Sequence, residues 1–337
     1  MTESGRLQSP NMSTVPTDIS TEEGWHELDD GHKVYTKTWK TSEVPRARLI
    51  VLHGFSDHCN DFIPLFPLLA AKGIEIFGVD QRGWGRSVKS AKERGRTGGS
   101  DQVMADINSY LRRYLPSFPR ASTTKPDAIP LFLFGHSMGG GEVIYHASKF
   151  PSSEIRGYLA SASWIKLSPE MQPSSVLVAG GRFIKRFAPN FQMKQPVHPE
   201  WLSHDPEVVR TAKLDELCHD MATMAQADGA LSRGDAIYTG KARVSSKQGV
   251  RSFFVCHGTA DKICDHDGSL QFYNKYCDVG DKELKTYEGW MHKREHTLSA
   301  FGSLLTNSLR AVHDEGPYER KIEHANDIAS WILARSD

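Results

Sequence analysis

A mostly parallel, doubly wound α/β sheet carrying one long insertion is the fold class this sequence predicts, from three observations. Short, unbroken apolar runs recur at ARLIVLHG (47–54), IEIFGVD (74–80), PLFLFGHS (130–137), IRGYLAS (155–161) and RSFFVCHG (251–258). Segments of helical spacing separate them, and between about Ser163 and Gly249 the alternation stops. Unbroken apolar runs are what a parallel sheet demands, because crossover helices cover both of its faces.

Each element has its own signal. Residues 1–20 are rich in Ser, Thr and Pro and read as a flexible tail. GWHEL and KVYTKTW, split by Asp29-Asp30-Gly31, read as a hairpin. The stretch 61–73 turns helical toward its end and stops at Gly73. In 100–115, Val103, Ile107, Tyr110, Leu111 and Tyr114 recur at helical spacing behind Ser100, a candidate N-cap. GGEVIYHASKF follows the third apolar run as a helix. After the interruption come a strand at 251–258, a helix near 268–277 and a strand at 283–289. A final amphipathic helix carries Ile322, Ala325, Ile328, Ala329 and Ile332. The interruption is too long for a structureless loop. The expected organisation is therefore a tail (1–20), a core (21–162 and 250–337) and a cap or lid (163–249).

Composition narrows the function classes. Lys plus Arg and Asp plus Glu are both 41, so no net field attracts a polyanion, and nucleic acid is not an expected partner. The cysteines at 59, 218, 256, 264 and 277 form no CxxC pair, which argues against a zinc or redox site and for free thiols in a reducing compartment. The polar N-terminus shows no secretory pattern, and no apolar run is long enough to span a bilayer. The expected location is the cytoplasm, with peripheral attachment to lipid droplets or membranes at most.

Gly135-His136-Ser137-Met138-Gly139 is a G-x-S-x-G element with an apolar strand before it and a helix after it. Such a serine sits on a sharp strand-to-helix turn, where neighbouring backbones leave no room for a Cβ on the flanking glycines. The following helix aims its first N–H groups at the site, favouring a developing oxyanion. His53-Gly54 ends the first long strand. The next residue, Phe55, would pair its backbone N–H with that of Met138 as an oxyanion hole.

A nucleophilic serine on this fold needs an acid and then a histidine, in that chain order. Asp261, in the loop after RSFFVC, is the preferred acid; Asp265 and Asp267 compete but resemble helix N-caps. His292, close behind ELKTY, is the preferred base, with His296 as competitor. In this scheme His292 deprotonates Ser137, Asp261 orients the imidazole, and no metal or organic cofactor is required. His257-Gly258 would shape the loop carrying Asp261.

Together these residues resemble the monoacylglycerol lipases of the α/β-hydrolase fold, and most closely their fungal branch. The pieces that match are HGF (53–55), DQRGWGRS (80–87), PLFLFGHSMGGG (130–141), HGTADKICD (257–265) and DKELKTYEGWMH (281–292). The resemblance runs from about residue 25 to 335. It implies a Ser137–Asp261–His292 triad, backbone donors at Phe55 and Met138, and a lipid ester as substrate. Mammalian members carry an acidic residue and an arginine after HG, resembling contacts to the glycerol head. Here the stretch is FSDHCND, with Asp57 near the acidic position and Asp61 in place of the arginine. Cys264 matches a cysteine near the site in some relatives, read either as a packing residue or as a thiol-reactive handle.

The inserted segment carries an amphipathic stretch from Ser174 to Phe187 with Arg182, Lys185 and Arg186 interleaved. It can pack on the core, or line an acyl tunnel and touch a lipid surface, and both can hold. Phe183 and Ile184, with Asp57 and Cys264, are the candidate substrate contacts. The basic run Arg86, Lys89, Lys92, Arg94 and Arg96 reads as a solvated loop, with contact to a lipid head group as the lesser reading.

The expected activity is hydrolysis of monoacylglycerol to fatty acid and glycerol. A broader carboxylesterase or lysophospholipase would use the same residues. Epoxide and haloalkane hydrolysis is disfavoured, since those reactions place an aspartate where Ser137 stands. A non-catalytic interaction protein on this fold would be expected to lack a triad member, and none is missing.

Overall fold

A computed structural model describes residues 19–62, 64–118, 128–293 and 317–336. Eight strands form the central sheet: β1 (Thr21–Glu27), β2 (Lys33–Trp39), β3 (Ala47–Leu52), β4 (Ile74–Val79), β5 (Leu131–His136), β6 (Ile155–Ser161), β7 (Ser252–Gly258) and β8 (Asp281–Tyr287). Their order across the sheet is β1-β2-β4-β3-β5-β6-β7-β8. β1 and β2 form the antiparallel hairpin and β2 meets β4 antiparallel; every other pairing is parallel.

The period of the strands sorts their side chains into two cores. Ile50, Leu52, Leu131, Leu133, Phe253 and Val255 face one layer, while Leu49, Val51, Phe132, Phe134, Phe254 and Cys256 face the other. α1 (Leu65–Ala71) and α8 (Pro317–Leu333) cover the second face, α8 through Ala325, Ile328, Ala329 and Ile332. α2 (Ser100–Arg112) and α3 (Met138–Lys149) cover the first. With helices on both faces, no central strand exposes its apolar side chains.

Within 163–249 lie α4 (Ser175–Lys185), α5 (Pro206–Leu214) and α6 (Met224–Tyr238), with a small antiparallel pair joining Gln192–Lys194 to Met221–Thr223. Ser174 caps α4, its hydroxyl accepting from the Leu177 N–H. α6 packs on α3 and α2, and its Ile237 joins the first core. α7 (His266–Gln271) follows β7 and continues into a π-helical turn at Phe272–Tyr276.

One expected cap is different. Gly99, not Ser100, holds the N-cap position of α2, and no side chain caps it. The Ser100 hydroxyl is instead drawn into the contact with α6, donating to the Gly229 carbonyl at 3.4 Å and accepting from Arg233 at 3.3 Å. Most of the expected tail, and His296, lie outside the described residues.

Candidate active site

Four strand ends converge at one edge of the sheet. His53-Gly54-Phe55 follows β3, Ser137 follows β5, Asp261 comes shortly after β7, and His292 comes shortly after β8. Ligands on open α/β sheets bind at this carboxyl edge.

The turn at Ser137 is held by backbone. Its N–H donates to the Ser161 carbonyl (2.9 Å), and its carbonyl accepts from Gly141 (3.1 Å) and Trp164 (2.8 Å). The result is φ 55° and ψ −115°, a conformation that L-residues rarely adopt. The flanking glycines are sterically required. A Cβ on Gly135 would lie 2.1 Å from the Gly139 carbonyl oxygen, and one on Gly139 would lie 2.2 Å from that of Leu52.

The structure brings Ser137, His292 and Asp261 into one hydrogen-bonded line. His292 Nε2 lies 2.9 Å from Ser137 Oγ, and His292 Nδ1 lies 2.7 Å from Asp261 Oδ2. An ionised carboxylate only accepts, so Nδ1 carries the proton and Nε2 is free to accept from the serine hydroxyl. Asp261 Oδ1 accepts from the Ile263 and Cys264 N–H groups at 2.8 and 3.0 Å. Burial alone would push the Asp261 carboxyl up. The charge of His292 and the bonds from His257 and His292 outweigh it and hold the carboxyl well below the usual carboxylate range. Asp265, the competing acid, caps α7, and its carboxylate pairs with Lys166 at 2.6 Å.

Met138 follows Ser137, and Gly54, the residue before Phe55, approaches it so closely that a Cβ there would lie 3.2 Å from the Ser137 Cβ; the Phe55 and Met138 N–H groups have no partner among the described residues. The Phe55 loop is fixed from behind. His53 Nε2 accepts from the Gln81 N–H at 2.9 Å, so its Nδ1 carries the proton and donates to the Gly54 carbonyl at 2.7 Å. Phe55 itself rests edge-on against Trp84, with centroids 4.9 Å apart.

The candidate substrate contacts separate. Asp57 is buried and ion-paired with Lys293 (3.6 Å), which also pairs with Asp61. Burial opposes the charge on Lys293, but Asp57 and Asp61 outweigh it and hold the ammonium well above its ordinary range. Cys264 is fully buried within reach of Ser137, and burial pushes its thiol well above the usual value. Phe183 and Ile184 lie on α4 with 66% and 44% of their surface exposed, outside the buried group around Ser137.

The segment 163–249 is bonded to the loops beside the triad, and Ser168 reaches the Asp261 loop through its N–H to the Ile263 carbonyl (2.9 Å) and its hydroxyl to the Lys262 carbonyl (2.6 Å). Asp220 N–H donates to Ser56 Oγ (2.8 Å), His58 Nε2 bonds Asp215 Oδ2 (2.8 Å), and Lys293 N–H donates to the Leu202 carbonyl (2.7 Å). Ser137 retains 5% of its surface. Sequence reasoning missed Lys293, because a lysine after a histidine carries no signal of burial. It also missed the bond from His257 to Asp261, for which their spacing of four residues was the available hint.

Comparison with known proteins identifies a family and a set of relatives. The family described as serine aminopeptidase, S33, matches residues 43–296. A Schizosaccharomyces pombe protein provisionally named a monoglyceride lipase is 30% identical over 306 residues, covering 90% of this chain and 72% of that one. The Saccharomyces cerevisiae monoglyceride lipase is 28% identical over 275 residues, covering 79% and 85%. A solved structure of a soluble variant of the latter, in complex with a substrate analogue, superposes with a TM-score of 0.79 at 24% identity, covering 98% of this chain and 100% of that one. Monoacylglycerol lipase from Paleococcus ferrophilus gives a TM-score of 0.69 at 24% identity, covering 90% and 99%. At that identity the structural likeness establishes the fold. Among the described residues no helix is long and apolar enough to cross a membrane.

Proposed function

This chain belongs to the serine aminopeptidase S33 family of α/β-hydrolase-fold proteins, and we propose that within it the chain is a monoacylglycerol lipase acting through Ser137, His292 and Asp261. The observation that carries the reading is the continuous line Asp261–His292–Ser137 at a strained elbow. Relatives named monoglyceride lipases, matched over most of this chain, direct it toward a lipid ester.

His292 Nε2 takes the Ser137 proton as Oγ attacks the ester carbonyl carbon. The tetrahedral oxyanion accepts from the Phe55 and Met138 N–H groups, two preset donors worth roughly 2 to 4 kcal/mol each. The bond to the glycerol oxygen breaks, and His292 returns the proton to that oxygen. A water deprotonated by His292 then attacks the acyl carbon. Oγ leaves with the proton and the fatty acid is released.

The region 163–249 acts as the cap over this chemistry. Val176, Leu177, Phe183, Ile184, Phe187 and Phe191 are exposed. That apolar surface favours peripheral contact with a membrane or lipid droplet and delivery of an acyl chain. It also favours an ester lipid over the peptide that the family's description names.

The test is fatty acid release from long-chain monoacylglycerol by purified protein. Lysophosphatidylcholine, diacylglycerol, a short soluble ester and an aminoacyl amide run in parallel, with Ser137→Ala as control. Monoacylglycerol should be turned over fastest and the variant should be inactive. Faster turnover of the soluble ester, lysophospholipid or amide would overturn the substrate assignment, and an active Ser137→Ala would overturn the mechanism.

A further inference from the structure

The Asp261 carboxylate serves two imidazoles. His257 Nε2 lies 3.1 Å from Asp261 Oδ2, the same oxygen that receives His292 Nδ1 at 2.7 Å. His257 Nε2 also lies 3.2 Å from the Cys264 carbonyl oxygen, and its Nδ1 lies 2.7 Å from Ser269 Oγ on α7. The His257 ring is completely buried.

The partner chemistry assigns the tautomer. Carboxylate and carbonyl oxygens only accept, so Nε2 carries the proton; Nδ1 of the neutral ring then accepts from the Ser269 hydroxyl. With Ile263 and Cys264 on Oδ1, Asp261 receives two donors on each oxygen.

From this arrangement we infer that His257, oriented by Ser269, is a positioning residue of the hydrolytic site: it holds the Asp261 carboxylate toward His292 and tempers the basicity of that base. The role rests on the triad reading proposed above. A carboxylate already bonded to a second N–H attracts an imidazolium less strongly, and the positive end of the His257 N–H dipole opposes charge on His292 directly. His292 thereby gives its proton to the leaving oxygen more readily. Among the described residues, the titratable groups near this cluster include Cys264 and Asp265 from its own loop, His266 of α7, whose ring is 5.6 Å from that of His257, and His136 at the end of β5, whose ring is 5.0 Å from that of His292.

The experiment compares wild type, His257→Leu, His257→Gln and Ser269→Ala on a soluble p-nitrophenyl ester across pH. Rates are normalised to sites titrated by a fluorophosphonate, so that loss of folded protein does not enter. For His257→Leu, kcat per site should fall about tenfold with KM little changed. The acid limb of kcat/KM should move up by about half a pH unit or more. Ser269→Ala should shift the limb the same way by less. His257→Gln, whose amide N–H can reach the Nε2 position, should restore it. An unshifted limb in His257→Leu, or a failure of His257→Gln to restore the limb, would overturn the inference and leave His257 a packing residue. Should His257→Leu not fold, an unshifted limb in Ser269→Ala overturns it alone. A wild type that the fluorophosphonate does not label would instead overturn the serine hydrolase reading, and this role with it.

Discussion

Arg233 Nη2 on α6 lies 3.2 Å from Glu142 Oε1 on α3, and both side chains are almost wholly buried. The pair ties α6 to the helix that begins at Ser137. Burial raises the Glu142 carboxyl to about 7, with Arg233 opposing the shift. A carboxyl raised above its unfolded value contributes most at low pH, and that contribution is lost as pH rises from about 4.5 toward 7. Arg233→Met would leave the carboxylate buried and uncompensated, costing about 3 to 5 kcal/mol at pH 8. The loss should shrink near pH 5, where the carboxyl is protonated. Urea unfolding of both proteins at the two pH values checks this, and a deficit independent of pH would contradict it.

Backbone strain at Ser137 makes a second expectation. Glycine adopts φ 55° without the Cβ strain that alanine shares with serine. Ser137→Gly should therefore be more stable than Ser137→Ala by about 1 kcal/mol, although neither carries a nucleophile. Thermal melts of the two proteins, both inactive, measure the difference.

His58 and Asp215 join the loop after Phe55 to the C-terminal side of α5. Burial lowers the affinity of His58 for a proton, but the bond to Asp215 and the nearby aspartates outweigh it and leave its value raised. Asp215, with burial opposing and His58 outweighing it, is lowered. The raised histidine contributes fully below about pH 6.5 and loses its contribution above; the lowered aspartate contributes above about pH 4 and loses it below. Asp215→Asn should consequently depress the melting temperature most between those values and much less at pH 9. Parallel melts across pH would reveal a flat difference if the pair carried no charge.

The α4 helix is anchored through charge and exposed through its apolar side chains. Asp228 on α6 accepts Arg182 at 2.8 Å and Lys185 at 2.5 Å, while Phe183 and Phe187 pack edge to face with centroids 5.5 Å apart. Phe183→Ser with Phe187→Ser should weaken binding to phosphatidylcholine vesicles about tenfold or more, since each ring withdraws about 1.5 to 3 kcal/mol of apolar burial. Turnover of a soluble ester and the melting temperature should stay near wild type, because Phe187 is 76% exposed in the free protein. Flotation with vesicles checks the first, and unchanged flotation would remove α4 from the lipid-facing surface.

The sheet was legible because its signals are local. Unbroken runs such as Leu49–Leu52 and Phe132–Phe134 cannot be solvated on either face, so they had to be central strands. Ser137 was legible for a related reason: the glycines at 135 and 139 are a steric requirement of the turn itself. Ser100 misled, because whether a hydroxyl caps its own helix or bonds a distant carbonyl depends on which helix arrives beside it.

The succession of strands and helices along the chain and the elbow were determined by short-range pattern, and chain order narrowed the acid and base to Asp261 and His292 with their competitors Asp265, Asp267 and His296. Only the tertiary structure decided that Asp261 is held by His257 as well as His292, that Lys293 lies buried between Asp57 and Asp61, and that α6 is tied through Arg233 to Glu142. The distinction is physical. Backbone sterics and hydrophobic periodicity act over a few residues and leave their mark in sequence. A buried charge or a shared carboxylate is set by partners up to 232 positions away, and nothing beside either residue in the chain announces the other.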